Sequence, residues 1–136
     1  MLVATTWTLD FNTTDIDKLE NIVYVNNVLT SIIKFANFTV VSNNFKKFEP
    51  VGMTSVFLLE ESHVSIHTWP EHNCFYIDIF TCKPLKNIDK IIEIVLDAFD
   101  NSRLISKLAI ERKTSANKRF GKSVADGRNL GFKSLL

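Results

Sequence analysis

Glu61-Ser62-His63-Val64-Ser65-Ile66-His67-Thr68-Trp69-Pro70-Glu71, followed after a short break by Tyr76-Ile77-Asp78-Ile79-Phe80-Thr81-Cys82, decides how this chain is read. The stretch 61–82 holds all three histidines and both cysteines. Val64, Ile66 and Thr68 alternate with His63, Ser65, His67 and Trp69, the period of a strand with one buried face. Pro70 suits a strand end, and Glu71-His72-Asn73 supplies a turn. The expectation is a β-hairpin with polar, reactive side chains on one face. A three-residue loop at 71–73 would set Ser62 opposite Cys82, with Cβ atoms roughly 4.5–5.5 Å apart. His67 lies an odd number of residues from Ser62, hence on the other face, and about 16 Å along a regular strand. Either a bulge intervenes or the His67 that serves Ser62 comes from another chain.

Outward from the hairpin, Val56-Phe57-Leu58-Leu59 reads as a strand buried on both faces, and Pro50-Val51-Gly52 as a short connection. Phe38 to Phe48 reads as another strand, with Asn43-Asn44 a bend. Residues 2–11 read as a first strand. Asn12-Thr13-Thr14-Asp15 then caps one long helix from Ile16 to about Ala36, whose apolar residues recur at helical spacing. Downstream of Pro84, Asn87 caps a helix from Ile88 to Phe99, and Leu104 to about Lys113 is the last strand. The expected class is α+β: a two-layer α/β sandwich, an antiparallel sheet with two helices on one face. The sheet's other face needs cover, and a second copy would give an αββα four-layer dimer.

At 136 residues, 46% hydrophobic with eleven Phe, the chain suits one domain with an ample core. A net charge of +1 favours neither nucleic acid nor membrane as a partner. No apolar run reaches the roughly 18 residues of a membrane span, and Met1-Leu2-Val3-Ala4-Thr5 does not open a signal peptide. Two cysteines without a CxxC pattern suit a reduced, cytosolic protein. Residues 112–136 carry seven of the sixteen basic residues and one of the fifteen acidic ones. Residues 1–113 are therefore read as the domain and 114–136 as a basic, flexible tail.

The central motif resembles that of the bacterial and archaeal short-form S-adenosylmethionine decarboxylases, pyruvoyl-dependent enzymes made as self-cleaving proenzymes. Phe48-Glu49-Pro50-Val51-Gly52-Met53-Thr54-Ser55 extends the likeness upstream. The resemblance implies cleavage between Glu61 and Ser62, the Ser62 hydroxyl attacking the Glu61 carbonyl. Ser62 then becomes a covalent pyruvoyl group, which forms a Schiff base with the substrate amine. It implies His67 as the processing base and Thr54 as a hydrogen-bonding hydroxyl, with Ser55 the fallback. It implies Cys82 as proton donor to the carbanion, since an ordinary thiol is largely protonated at pH 7. Phe48 and Trp69 would stack on the adenine and Glu71 would bind the ribose hydroxyls. It also implies S-adenosylmethionine as substrate, decarboxylated for spermidine synthesis, and a homodimer with shared sites. No metal is expected, although His63, His67 and His72 prompt the question.

Lys83 stands where the family commonly has glycine, Thr54 where it commonly has serine, and Ala4-Thr5-Thr6-Trp7 departs from the family's usual opening. Taken singly, Ser62 reads as a satisfied hydroxyl, Cys82 as a small buried side chain and Trp69 as packing. Two other functions stay open: a pyruvoyl-dependent ornithine or arginine decarboxylase, and an uncleaved homologue acting as a regulatory partner.

Overall fold

A computed structural model describes residues 1–114. Strand β1 (Leu2–Asn12) is followed by helices α1 (Ile16–Leu19) and α2 (Ile22–Phe35). Then come β2 (Val40–Lys47), β3 (Met53–Leu59), β4 (Ser62–Trp69) and β5 (Cys74–Thr81). Helix α3 (Ile88–Ala98) and strand β6 (Arg103–Lys113) complete the domain. The six strands form one antiparallel sheet in the order β2-β3-β4-β5-β1-β6.

The helices cover one face. Leu29 and Ile32 of α2 and Ile91 and Val95 of α3 meet Leu9, Phe11, Ile66, Phe75 and Ile77 of the sheet in one core. Phe75 stacks on Phe11 at 5.0 Å and packs against Phe99 at 4.9 Å. Each such fully buried side chain contributes about 1.5–3 kcal/mol. Asn21 and Asn87 cap α2 and α3, their side chains accepting from the backbone N–H of Tyr24 and Lys90.

The expected α+β sandwich is present, with three corrections. The long helix is two helices, broken at Glu20-Asn21, because Asn21 takes an extended backbone and caps α2. The β3 strand is buried on one face only: Val56 and Leu58 are 37% and 50% exposed. They lie on the sheet face that carries no helix, where apolar character does not imply burial within the chain.

The third correction is the hairpin register. Trp69 pairs with Cys74, and Ser62 with Thr81, not with Cys82. Pro70 begins a 3-10 turn to His72, and Asn73 closes it in the left-handed conformation at φ 55°. The connection is therefore 70–73, one residue longer than 71–73, and every pairing shifts by one.

The helix-free face presents Thr54, Val56 and Leu58 of β3, then His63, Ser65, His67 and Trp69 of β4. Beside them lie Tyr76, Asp78 and Phe80 of β5 and the exposed Leu108 and Ile110 of β6. Among the described residues no helix is long and apolar enough to cross a membrane. The basic stretch from 115 onward lies outside the described residues.

Candidate active site

The residues singled out in the sequence gather at two places, at opposite ends of β4. One group surrounds a cleft of about 260 Å³ lined by Phe48, Gly52, Thr54, His67, Trp69 and Glu71. Antiparallel pairing sets Thr54 opposite His67, and Thr54 Oγ1 lies 2.9 Å from His67 Nδ1. That bond orients the ring through Nδ1. Trp69 is 47% exposed and Phe48 45%, two aromatic surfaces available to a flat ligand. His72 packs beside Trp69 at 6.4 Å.

The wall between Phe48 and Thr54 is a tight loop. The Phe48 N–H donates to the Gly52 carbonyl at 2.8 Å, and the Met53 N–H to Thr68 Oγ1 at 2.9 Å. Gly52 has φ +96°, and a Cβ there would meet the Thr68 carbonyl oxygen at 3.1 Å. Only glycine accepts both conditions without strain.

Behind this wall Ser55 is fully buried. Its hydroxyl donates to Asn26 Oδ1 at 2.5 Å and accepts from Asn43 Nδ2 at 3.1 Å, linking α2 to β2 and β3. Ser55 thus faces the helices, not the cleft, and only Thr54 of the two adjacent hydroxyls reaches His67.

The second group sits where β3 turns into β4. Ser62 has φ +151°, a conformation that L-residues rarely adopt and that costs of order 1–3 kcal/mol. The Glu61 carbonyl, one bond before it, accepts a hydrogen bond from the Cys82 backbone N–H at 3.1 Å. The Glu61 side chain is pinned too: the Thr39 N–H donates to Oε1 at 2.9 Å. This bond, with a weaker contribution from the Lys83 charge, holds the Glu61 carboxyl below the usual carboxylate range. The Cys82 side chain is exposed, and with Thr81 and Lys83 it lines a hollow of about 310 Å³.

Two of these features have no signature in the sequence. The Cys82 N–H is a backbone group that any residue would provide, and only the correct register places it on the Glu61 carbonyl. Thr39 lies in a connecting segment without a motif. The three histidines do not converge: His67 bonds Thr54, His63 stacks on Phe80 at 5.7 Å, and His72 lies by Trp69. Among the described residues no group of three or more His, Cys, Asp or Glu could hold a metal ion.

A helix-backed antiparallel sheet with a hydroxyl–imidazole pair at one end of β4 and a strained serine at the other defines a two-layer α/β enzyme scaffold. Residues 5–112 match the family model described as S-adenosylmethionine decarboxylase. The chain belongs to that family, in its short proenzyme form. The S-adenosylmethionine decarboxylase proenzyme of Persephonella marina is 40% identical over 74% of this chain and 74% of its own length. The corresponding proenzyme of Sulfurihydrogenibium sp. is 39% identical over 70% and 71%. Among solved structures, the adenosylmethionine decarboxylase of Aquifex aeolicus matches with a TM-score of 0.70 at 28% identity, covering 86% of this chain and 98% of that one.

Proposed function

We propose that this chain is a self-cleaving, pyruvoyl-dependent decarboxylase of S-adenosylmethionine that supplies the aminopropyl donor for spermidine. We further propose that it works as a homodimer whose sites each draw on both copies. The observation that carries the reading is the separation of the two residue groups. Ser62, Glu61 and Cys82 sit at one end of β4, and the Thr54–His67 pair with its aromatic cleft at the other. Five residues of strand, about 16 Å, lie between Ser62 and His67, far beyond the roughly 3 Å of proton transfer. Two copies stacked face to face about a two-fold axis bring the serine end of one against the cleft end of the other. The apolar Val56, Leu58, Leu108 and Ile110 on this face support such stacking. The result is the αββα arrangement.

Self-cleavage starts when the Ser62 hydroxyl attacks the Glu61 carbonyl carbon. The Cys82 N–H already bonded to that carbonyl oxygen stabilises the developing oxyanion. The strained Ser62 backbone raises the amide towards the ester that replaces it. His67 of the second copy takes up the hydroxyl proton, its ring held by Thr54. Loss of the Ser62 α-proton then breaks the ester Cβ–O bond. It leaves the Glu61 carboxylate on fragment 1–61 and a dehydroalanine that water converts to the pyruvoyl end of fragment 62–136, releasing ammonia. The residues fit the group: a hydroxyl beside a polarised carbonyl, with no metal required for its formation. Bound to substrate, the pyruvoyl carbonyl supplies the electron sink for loss of carbon dioxide.

Phe48 and Trp69 stack on the adenine, and Glu71 accepts from the ribose hydroxyls. Cys82 returns a proton to the substrate α-carbon. Two exposed aromatic faces around one cleft favour a nucleoside-bearing substrate over ornithine or arginine.

The test is the mass of the purified protein under denaturing conditions, followed by carbon dioxide release from carboxyl-labelled substrates. Two fragments split at 61–62, the larger blocked at its N-terminus, with release from S-adenosylmethionine alone, is the expected result. A single uncleaved chain of 15.5 kDa overturns the self-cleaving reading in favour of a regulatory partner. Release from ornithine or arginine instead overturns the substrate.

A further inference from the structure

Glu20 does not line the cleft, yet it grips both ends of the loop that forms the cleft wall. It ends α1 and precedes the cap of α2, so its own backbone is fixed: its N–H bonds to the Ile16 carbonyl at 2.9 Å. Its carboxylate reaches across to residues far along the chain. Oε1 accepts from the Gly52 N–H at 2.7 Å, and Oε2 pairs with Lys47 Nζ at 2.7 Å. Lys47 Nζ also donates to the Glu20 carbonyl at 2.7 Å. Lys47 is the last residue of β2 and Gly52 the last before β3, so one carboxylate ties both stems of the 48–52 loop. Phe48 lies directly after one stem. Gly52, buried and lining the cleft, forms the other, and its carbonyl holds the Phe48 N–H.

We propose that Glu20 is a positioning residue for the nucleoside end of the substrate: it sets the 48–52 wall, and through it the Phe48 ring, at the spacing from Trp69 that a flat base requires. This rests on the reading of the cleft as the S-adenosylmethionine site. Among the described residues the Gly52 N–H has Glu20 as its acceptor. A neutral amide at position 20 can keep that bond only by turning its NH₂ group towards the Lys47 ammonium, donor against donor. The wall then loses one of its two anchors. The Thr54–His67 pair of this cleft is held by the β3–β4 ladder and by the Met53 N–H bond to Thr68, none of which involves Glu20, so self-cleavage and the chemical step are not disturbed by the change. The effect falls on binding.

The experiment compares wild type, Glu20→Gln and Lys47→Met in three measurements. These are the extent of self-cleavage by mass, kcat and KM for S-adenosylmethionine, and the calorimetric Kd of 5′-methylthioadenosine. For Glu20→Gln the expected result is full cleavage, kcat within about twofold of wild type, and KM and nucleoside Kd each raised roughly tenfold, the scale of one charge-assisted hydrogen bond. Lys47→Met leaves Glu20 on Gly52 and raises both constants less. A lowered melting temperature with unchanged KM and Kd overturns the assignment, because it marks a purely structural residue. So does a fall in kcat at constant KM. If Glu20→Gln does not fold, Lys47→Met decides alone by the same criterion. A wild type that cleaves but releases nothing from S-adenosylmethionine overturns the substrate reading and this inference together, whereas unaffected variants of an active wild type overturn only the role of Glu20.

Discussion

Mixing two inactive variants is the sharpest test of a site built from two copies. Ser62→Ala removes the nucleophile and leaves the Thr54–His67 pair and cleft intact. His67→Ala removes the base and leaves Ser62, the Glu61 carbonyl and its Cys82 N–H intact. Each alone should remain uncleaved. The structure puts about 16 Å of strand between Ser62 and His67 of one chain, and no plausible bend closes that to hydrogen-bonding reach. In a co-expressed mixture with random pairing, half the dimers are mixed, and each mixed dimer has one complete site. About half of the His67→Ala chains should then be cleaved, and total decarboxylase activity should be about one quarter of wild type. Mass spectrometry identifies the donor: the substitution lies in fragment 62–136, so every pyruvoyl fragment should carry the alanine mass at 67. Ser62→Ala chains should stay whole. If no fragment forms above the level of the separate variants, Ser62 and His67 do not cooperate between copies and the shared-site reasoning is refuted.

Two further outcomes concern the cleft wall. Gly52→Ala forces a Cβ onto a φ of +96° and to within 3.1 Å of the Thr68 carbonyl oxygen. The expected cost is about 1–3 kcal/mol in denaturant unfolding, with weakened nucleoside binding; unchanged stability would mean the loop relaxes freely. Ser55→Ala removes the buried hydroxyl that joins the half-buried Asn26 to the exposed Asn43 and should cost about 1 kcal/mol. Its self-cleavage should persist, because Ser55 faces the helices. Loss of cleavage with a native melting temperature would show that Ser55 serves the site after all.

The central strands of this fold are legible because alternation survives in them: Val64, Ile66 and Thr68 against His63, Ser65 and His67 is enough to assign the faces of β4. What alternation does not carry is register. Pro70 reads equally as the last residue of a strand or the first of a turn, and that one-residue ambiguity moved Cys82 from beside Glu61 to beside Ser62. The break at Glu20-Asn21 was hidden by the continuous apolar spacing of Leu19, Ile22 and Val23, although Asn21 is a good cap. Val56 and Leu58 read as core because apolar character does not distinguish a chain's own interior from a surface of the same polarity. At the site, the side chains stand in one contiguous motif and could be named. The groups that hold them could not. Glu20 meets Lys47 and Gly52, 27 and 32 residues away, and the Cys82 amide is common to every residue type.

The strand order gives a break at 61–62 an unusual outcome. Residues 1–61 contribute β1, β2 and β3, and residues 62–113 contribute β4, β5 and β6, yet β1 inserts between β5 and β6. The two pieces are therefore laced: parting them means opening the β3–β4, β1–β5 and β1–β6 ladders at once. Such a nicked domain melts as a non-covalent pair, with a midpoint that rises with protein concentration. Its strands also make a split protein, in which separately produced 1–61 and 62–136 pieces could rejoin only by threading β1 into a gap its partner leaves open.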